Sequence, residues 1–246
     1  MKKTSGSDFK KVIDIISIMP EYFESPLKAG LFAKAVKSGI IDIGIINPRD
    51  FSDNKHRKVD EKIYGGGAGR LLMAYPILKA RDFVIKRYEE KYGKHLDNNP
   101  LTVIMSPGGK LLNSGLALEL SRYSHIIIIC GRYEGIDARV SELASALEVS
   151  IGDYILSGGE IASLVFIETI SRFFENFMGN PLSLEEESFK DGVLEHHQYT
   201  VPRVVEGIPV PDELLSGNHK LINEWKKESS NKKTKENRPD LKIIKK

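Results

Sequence analysis

The chain of 246 residues contains a single cysteine, Cys130. One thiol excludes an intrachain disulfide and fits a reducing compartment. Its place at the end of an apolar run marks it as buried and inert, because a nucleophilic thiol needs an exposed, electropositive setting. Long apolar runs are missing too. No stretch approaches the length of a membrane span, and the opening MKKTSGSDFKK lacks the apolar core of a signal peptide, so a cytoplasmic protein with no membrane partner is expected. Charge of one sign is also lacking. With 36 Lys and Arg against 34 Asp and Glu, any polyanion partner has to be sought in local clusters. No Gly-Lys-Ser/Thr follows a glycine-rich stretch (Leu111 follows Lys110 in SPGGKLL), and no Rossmann spacing occurs, so nucleoside-triphosphate and dinucleotide enzymes lose their usual signatures. Metal-ligand spacing is lacking as well: His196 and His197 are adjacent, which sends them to opposite sides of an extended segment.

What is present alternates between strand and helix. Residues 12–19 read as a buried strand stopped by Pro20, residues 22–38 as a helix stopped by Gly39, and residues 40–46 as a second strand. Residues 101–105 form a third strand leading into Ser106-Pro107-Gly108-Gly109, with helices expected at 76–92, 114–122 and 136–147. That order predicts an α/β fold with a parallel sheet. The broad apolar stripe of a helix at 160–178 is core or subunit interface. Between these elements, residues 49–70 are the most polar part of the first half, with Lys55, His56, Arg57 and Lys58 in one block and three glycines at Gly65 to Gly67. They read as a mobile loop that either carries positive charge to a polyanion or is simply solvated.

Three regions follow from composition: a first domain over 1–178, a linker with Glu185, Glu186 and Glu187 over 179–190, and a proline-punctuated, mainly helical region over 191–246. In the last, helices are expected at 211–215 and 218–227. From Lys226 onward a tail carries nine basic residues against three acids, which suits either a polyanion or a disordered, solubilising end.

The stretch over 125–160 organises the rest. Two apolar strands each open into a glycine-rich turn, one with Gly131, Arg132, Tyr133, Glu134 and Gly135, the other with Ser157, Gly158, Gly159 and Glu160, and Asp153 between them. Glycine lets main-chain N–H and C=O groups approach a ligand closely. In open α/β sheets, ligands collect outside the carboxyl ends of the strands. A small polar ligand between the two turns is the expectation.

Seven motifs then occur in a fixed order: YGGGAG at 64–69, SPGGK at 106–110, CGRYEGID at 130–137, SIGDYILSGGE at 150–160, SRF at 171–173, QYTVP at 198–202 and LLSGNH at 214–219. In these the chain resembles the bacterial tRNA (guanine-N1)-methyltransferases, the TrmD family, from about Val12 to about Leu241. The resemblance implies a SPOUT-type parallel sheet with a deep trefoil knot and a small helical C-terminal domain that binds tRNA. It also implies a homodimer with the active site at the subunit interface, S-adenosylmethionine as methyl donor, and the guanosine immediately 3′ of the anticodon as target. By the same resemblance the donor would be held by Ile104, Met105, Ser106 and Pro107, by Gly131, Tyr133 and Glu134, by Ser150, Ile151, Gly152, Asp153, Tyr154, Ile155 and Leu156, and by Gly158 and Gly159. A role for magnesium is left open, with no ligand set readable from the residues.

The chemistry narrows the catalytic groups. Guanine N1 carries a proton at neutral pH, so its methylation calls for a base on that proton and positive charge near O6 as the ring becomes anionic. By resemblance the cation is Arg172 and the base Glu187. Here the chain departs from the family, which has aspartate before Ser188-Phe189, and Glu186 stands beside Glu187 as the alternative. Ala68 and Arg70 replace a proline and a methionine usual in the glycine loop, and Glu195 stands where an aspartate is common; neither change removes a group the chemistry requires. The target atom lies on a base-pairing edge in a stacked loop, so the base has to be extruded. Contacts of residues 49–58 and the C-terminal region with RNA phosphates would weaken as salt rises. A non-catalytic RNA-binding relative, and a SPOUT enzyme with another RNA substrate, are the competing readings.

Overall fold

The computed structural model describes residues 10–93, 100–179, 187–189 and 192–241. Glu185, Glu186, the first nine residues and the last five lie outside these. The chain divides into two compact units, Met1–Gly179 and Asn180–Lys246.

The first unit is built on a five-stranded sheet. Its strands are β1 (Lys11–Ile16), β2 (Ile41–Ile46), β5 (Leu101–Leu111), β6 (His125–Cys130) and β7 (Leu147–Ser150), in the order β2-β1-β6-β5-β7 and parallel throughout. A parallel sheet is covered on both faces, so its strands read as continuous apolar runs. In β6, Ile126, Ile128 and Cys130 pack to one side with Phe166, Ile167 and Ile170, while Ile127 and Ile129 pack to the other with Ile77, Ala80 and Val84.

Helices α1 (Gly30–Lys37), α2 (Ala74–Tyr92), α3 (Ser114–Leu120), α4 (Arg139–Leu143) and α5 (Gly159–Ser171) complete the unit, with a short hairpin of β3 (Asp60–Lys62) and β4 (Arg70–Leu72). Five expectations need correction. The helix expected over 22–38 is broken: Pro26 starts a separate short turn, Gly30 takes a left-handed φ of 57°, and only α1 is α-helical. The polar segment 49–70 is not one loop, since its end folds back as the β3–β4 hairpin. Several of its cations are paired locally, Arg57 with Asp50 at 2.7 Å, Lys58 with Glu61 and Arg70 with Asp60, which weakens the case for this block as a phosphate-binding surface. The helix expected over 136–147 shrinks to α4, because Leu147 and Val149 pair with β5 as a strand, and that strand stops at Ser150 rather than running on to Ser157. The helix expected to reach 178 ends at Ser171.

At the amino-terminal end of β6, away from the loops described below, sits a polar island. Asp14 and His125 are both buried, with Asp14 Oδ2 3.0 Å from His125 Nε2. Arg87 donates to Asp14, Tyr88 stacks on the imidazole at 4.5 Å, and Gly44 leaves the room, since a Cβ there would strike Asp14 and Arg87. Its polar groups satisfy one another, as burial demands.

In the second unit, a two-stranded ribbon of β8 (Val204–Val205) and β9 (Ile208–Pro209) precedes helices α6 (Asp212–Leu215) and α7 (His219–Asn237). Asn218 caps α7 by accepting from the Lys220 and Leu221 amides. The extended strip at 194–197 lies on α7: Leu194 N–H donates to Thr234 Oγ1 at 2.8 Å and His197 N–H to Ser229 Oγ at 3.1 Å. The expected basic tail is therefore helical as far as Asn237, and α7 presents Lys220, Lys227, Lys232 and Lys235 to solvent.

Candidate active site

Three loops at the carboxyl ends of β5, β6 and β7 enclose a cavity of about 300 Å³, the size of a small-molecule site. The first is an excursion within a strand. Met105 and Lys110 both pair with Val149, so residues 106–109 loop out of β5, and Ser106 and Pro107 line the cavity. Gly109 makes this possible. A Cβ there would fall under 3.0 Å from the Glu148 carbonyl carbon and the Val149 nitrogen.

The second loop follows β6. Tyr133 takes a left-handed φ of 60° and Gly135 one of 124°, closing a turn in which Gly135 N–H donates to the Arg132 carbonyl at 3.1 Å. The β4 end of the hairpin carrying the 64–69 glycines docks here, through Glu134 N–H to the Arg70 carbonyl and Leu72 N–H to the Gly135 carbonyl, both 3.0 Å. The third loop, 151–158, follows β7. Tyr154 O–H donates to the Ile151 carbonyl at 3.0 Å and lies against Gly152, where any Cβ would meet its ring. The second and third loops are stitched together by Gly159 N–H donating to the Gly131 carbonyl at 2.8 Å. Gly159 needs that approach: its Cβ would lie 2.9 Å from Cys130 Cα and from Gly131 N.

Of the residues expected to hold a donor, all but Ile104 and Asp153 line this cavity. Ile104 faces the opposite core with Ile127 and Ile129, and Asp153 is exposed at the turn. Arg132, Gly135, Val149, Ser157 and Ala162 also line it. Val149 and Ala162 carried no signal beyond ordinary core residues. Cys130 lies behind, 3.1 Å from Ser163 Oγ, and burial pushes its thiol far above the ordinary range, so it stays protonated and unreactive. Two residues past Gly135, outside the cavity lining, Asp137 is held below the usual carboxylate range by the Arg139 guanidinium.

Arg172 caps the far end of α5 and does not line the cavity. Gly159 opens that helix at the cavity wall, and 13 residues at about 1.5 Å each put roughly 20 Å between them, beyond an arginine's reach. Glu187 belongs to the second unit and is half-buried.

A parallel α/β sheet whose strand ends supply three glycine-bearing loops to one cavity defines an α/β protein with a small-molecule-sized cavity at its strand ends. Comparison with known proteins makes this specific. The family model described as tRNA (Guanine-1)-methyltransferase TrmD matches residues 11–244. Proteins named tRNA (guanine-N(1)-)-methyltransferase are similar along nearly the whole chain. That of Carboxydothermus hydrogenoformans is 46% identical over 229 residues, 93% of this chain and 86% of the relative. That of Clostridioides difficile is 45% identical over 227 residues, 92% of this chain and 95% of the relative. The chain belongs to the TrmD family of tRNA (guanine-1)-methyltransferases.

Proposed function

We propose that the protein transfers a methyl group from S-adenosylmethionine to N1 of the guanosine immediately 3′ of the anticodon in tRNA. The observation that carries this is the cavity, lined from the SPGGK, CGRYEGID and SIGDYILSGGE segments of a chain that the family model matches over residues 11–244. The residues suit the donor. Glycines at 109 and 159 hold main chain where a Cβ would intrude, so loop amides and carbonyls can read a purine edge, and Val149, Ile151, Leu156 and Ala162 offer apolar walls. The donor, when bound, supplies a methyl carbon made electrophilic by its sulfonium.

This chain's residues do the rest. Glu187 removes the N1 proton of guanine, and Arg172 places a guanidinium near O6, where negative charge collects as that proton leaves. Arg172 is too far from the cavity of its own chain, which supports a homodimer in which each cavity takes the arginine of the second copy. The exposed apolar side chains Ile155, Ile161 and Val165 beside the cavity and along α5 fit such an interface. We propose further that the chain from β5 to the start of α5 forms the deep trefoil knot of the SPOUT class. Supporting that, β6 inserts between β1 and β5, and residues 158–159 return to pair with 131–132. The exposed lysines of α7 suit RNA phosphates and make the second unit a tRNA-binding domain.

The test is incubation with labelled S-adenosylmethionine and a tRNA transcript bearing the target guanosine, beside the same transcript with adenosine. Label is expected in the first alone; label in both or in neither overturns the reading. A second measurement assigns the base. In single-turnover assays Glu187→Gln is expected to slow transfer about a hundredfold or more, the range of a general base, with Glu186→Gln close to wild type. The reverse order would move the role to Glu186.

A further inference from the structure

Behind the cavity lies a chain of buried polar contacts in which neither of the first two members touches the ligand space. Ser17 Oγ, just past the end of β1, donates to Glu160 Oε1 at 2.7 Å. Glu160 is fully buried in the first turn of α5, and its other oxygen accepts from Arg132 Nε at 2.8 Å. The Arg132 guanidinium lies 4.9 Å from the centre of the Tyr22 ring and reaches the Ser157 carbonyl at 3.4 Å. Ser17 Oγ also accepts from the Met19 amide at 3.0 Å, which fixes the hydroxyl from the other side.

A buried ion pair is weak grounds for stability, because desolvating both charges offsets most of their attraction. What this one provides is geometry. Arg132 and Ser157 line the cavity from two different loops, and the pair Ser17–Glu160 anchors both to the end of a central strand. Gly158 records how closely the parts fit: a Cβ there would fall under 3.0 Å from Arg132 Nε and from Glu160 Oε2.

We infer that Ser17 and Glu160 are positioning residues, which through Arg132 set the spacing of the 131–135 and 151–158 loops and thereby the affinity for the methyl donor. The inference rests on the donor site proposed above. It is tested by calorimetric titration of wild type, Ser17→Ala, Glu160→Gln and Glu160→Ala with S-adenosylmethionine at a temperature where all are folded, alongside KM for donor and for tRNA. Loss of one buried hydrogen bond to a charged group is expected to weaken donor binding about tenfold in Ser17→Ala, and removal of both in Glu160→Ala about a hundredfold or more. Glu160→Gln keeps the shape and one oxygen for Arg132, so it is expected to recover much of that loss. KM for donor rises in step while KM for tRNA stays put.

A merely structural role would lower the melting temperature and leave donor affinity of the folded protein unchanged. Wild-type affinity in both Ser17→Ala and Glu160→Ala therefore overturns the inference. If the Glu160 variants fail to fold, Ser17→Ala decides, since it removes one oxygen from a site that stays filled. A wild-type protein that binds no donor overturns the donor site and this inference together, whereas donor binding in wild type with unaltered variants overturns the inference alone.

Discussion

Mixing two inactive variants is expected to bring methyl transfer back. Arg172→Ala removes the charge proposed to sit near O6 and is expected to lower kcat a hundredfold or more, the usual cost of one stabilising donor, with donor affinity unchanged because Arg172 is no part of the cavity. Ala162→Phe does the opposite. It puts a phenyl ring into a space of about 300 Å³ and is expected to abolish donor binding while Arg172 stays intact. If the arginine of one copy serves the cavity of the other, a mixed dimer holds one complete site: the open cavity of the Arg172→Ala subunit facing the intact arginine of the Ala162→Phe subunit. Random exchange would then restore about a quarter of the wild-type rate, since half the dimers are mixed and each has one working site. Were the arginine to serve its own chain, no pairing would complete a site and the mixture would stay inactive. The roughly 20 Å length of α5 favours the first outcome. The measurement is initial rate after subunit exchange, with dimers confirmed by size-exclusion chromatography.

Sequence reading stops short of this arrangement. HIIIIC announced a strand buried on both faces, and its glycine turn announced a loop at the cavity, because both signals are local: an unbroken apolar run and residues that tolerate unusual φ. The distance from Arg172 to the cavity was not legible, since it depends on α5 starting at the cavity wall and ending only at Ser171. The link between Ser17 and Glu160 spans 143 positions and leaves no spacing to notice. Breaks were misjudged for a related reason. Periodicity over 22–38 is helical, yet Pro26 and the left-handed Gly30 override it, and residues 136–147 look helical although Leu147 belongs to a strand once β5 stands beside it. Pairing across the sheet decides such cases, and pairing is not a local property.

The same limit applies to the two adjacent glycines of SPGGK, which the sequence presents as equivalent and the structure does not. A Cβ on Gly108 would find only Ser106 Oγ at 3.8 Å, an ordinary contact, whereas one on Gly109 would overlap the backbone between Glu148 and Val149. Main chain of a paired strand cannot swing aside as a side-chain tip can, so Gly109→Ala forces either β7 away from β5 or the 106–109 excursion out of shape. Overpacking of this kind costs about 1–3 kcal/mol, enough to lower the melting temperature visibly. The larger effect falls on the ligand. Ser106 and Pro107 line the cavity from the excursion, and Val149 and Ser150 line it from β7, so either displacement moves a wall. Donor affinity is expected to fall about a hundredfold in Gly109→Ala, since a misplacement of about 1 Å carries a cost of that order. Gly108→Ala is expected to bind donor within about twofold of wild type, as exposed substitutions away from special backbone sites change little. Calorimetric titration of the two variants makes the comparison. Equal losses would mean that the excursion tolerates no side chain anywhere, and equal retention would mean that β7 yields where the backbone contact forbids it.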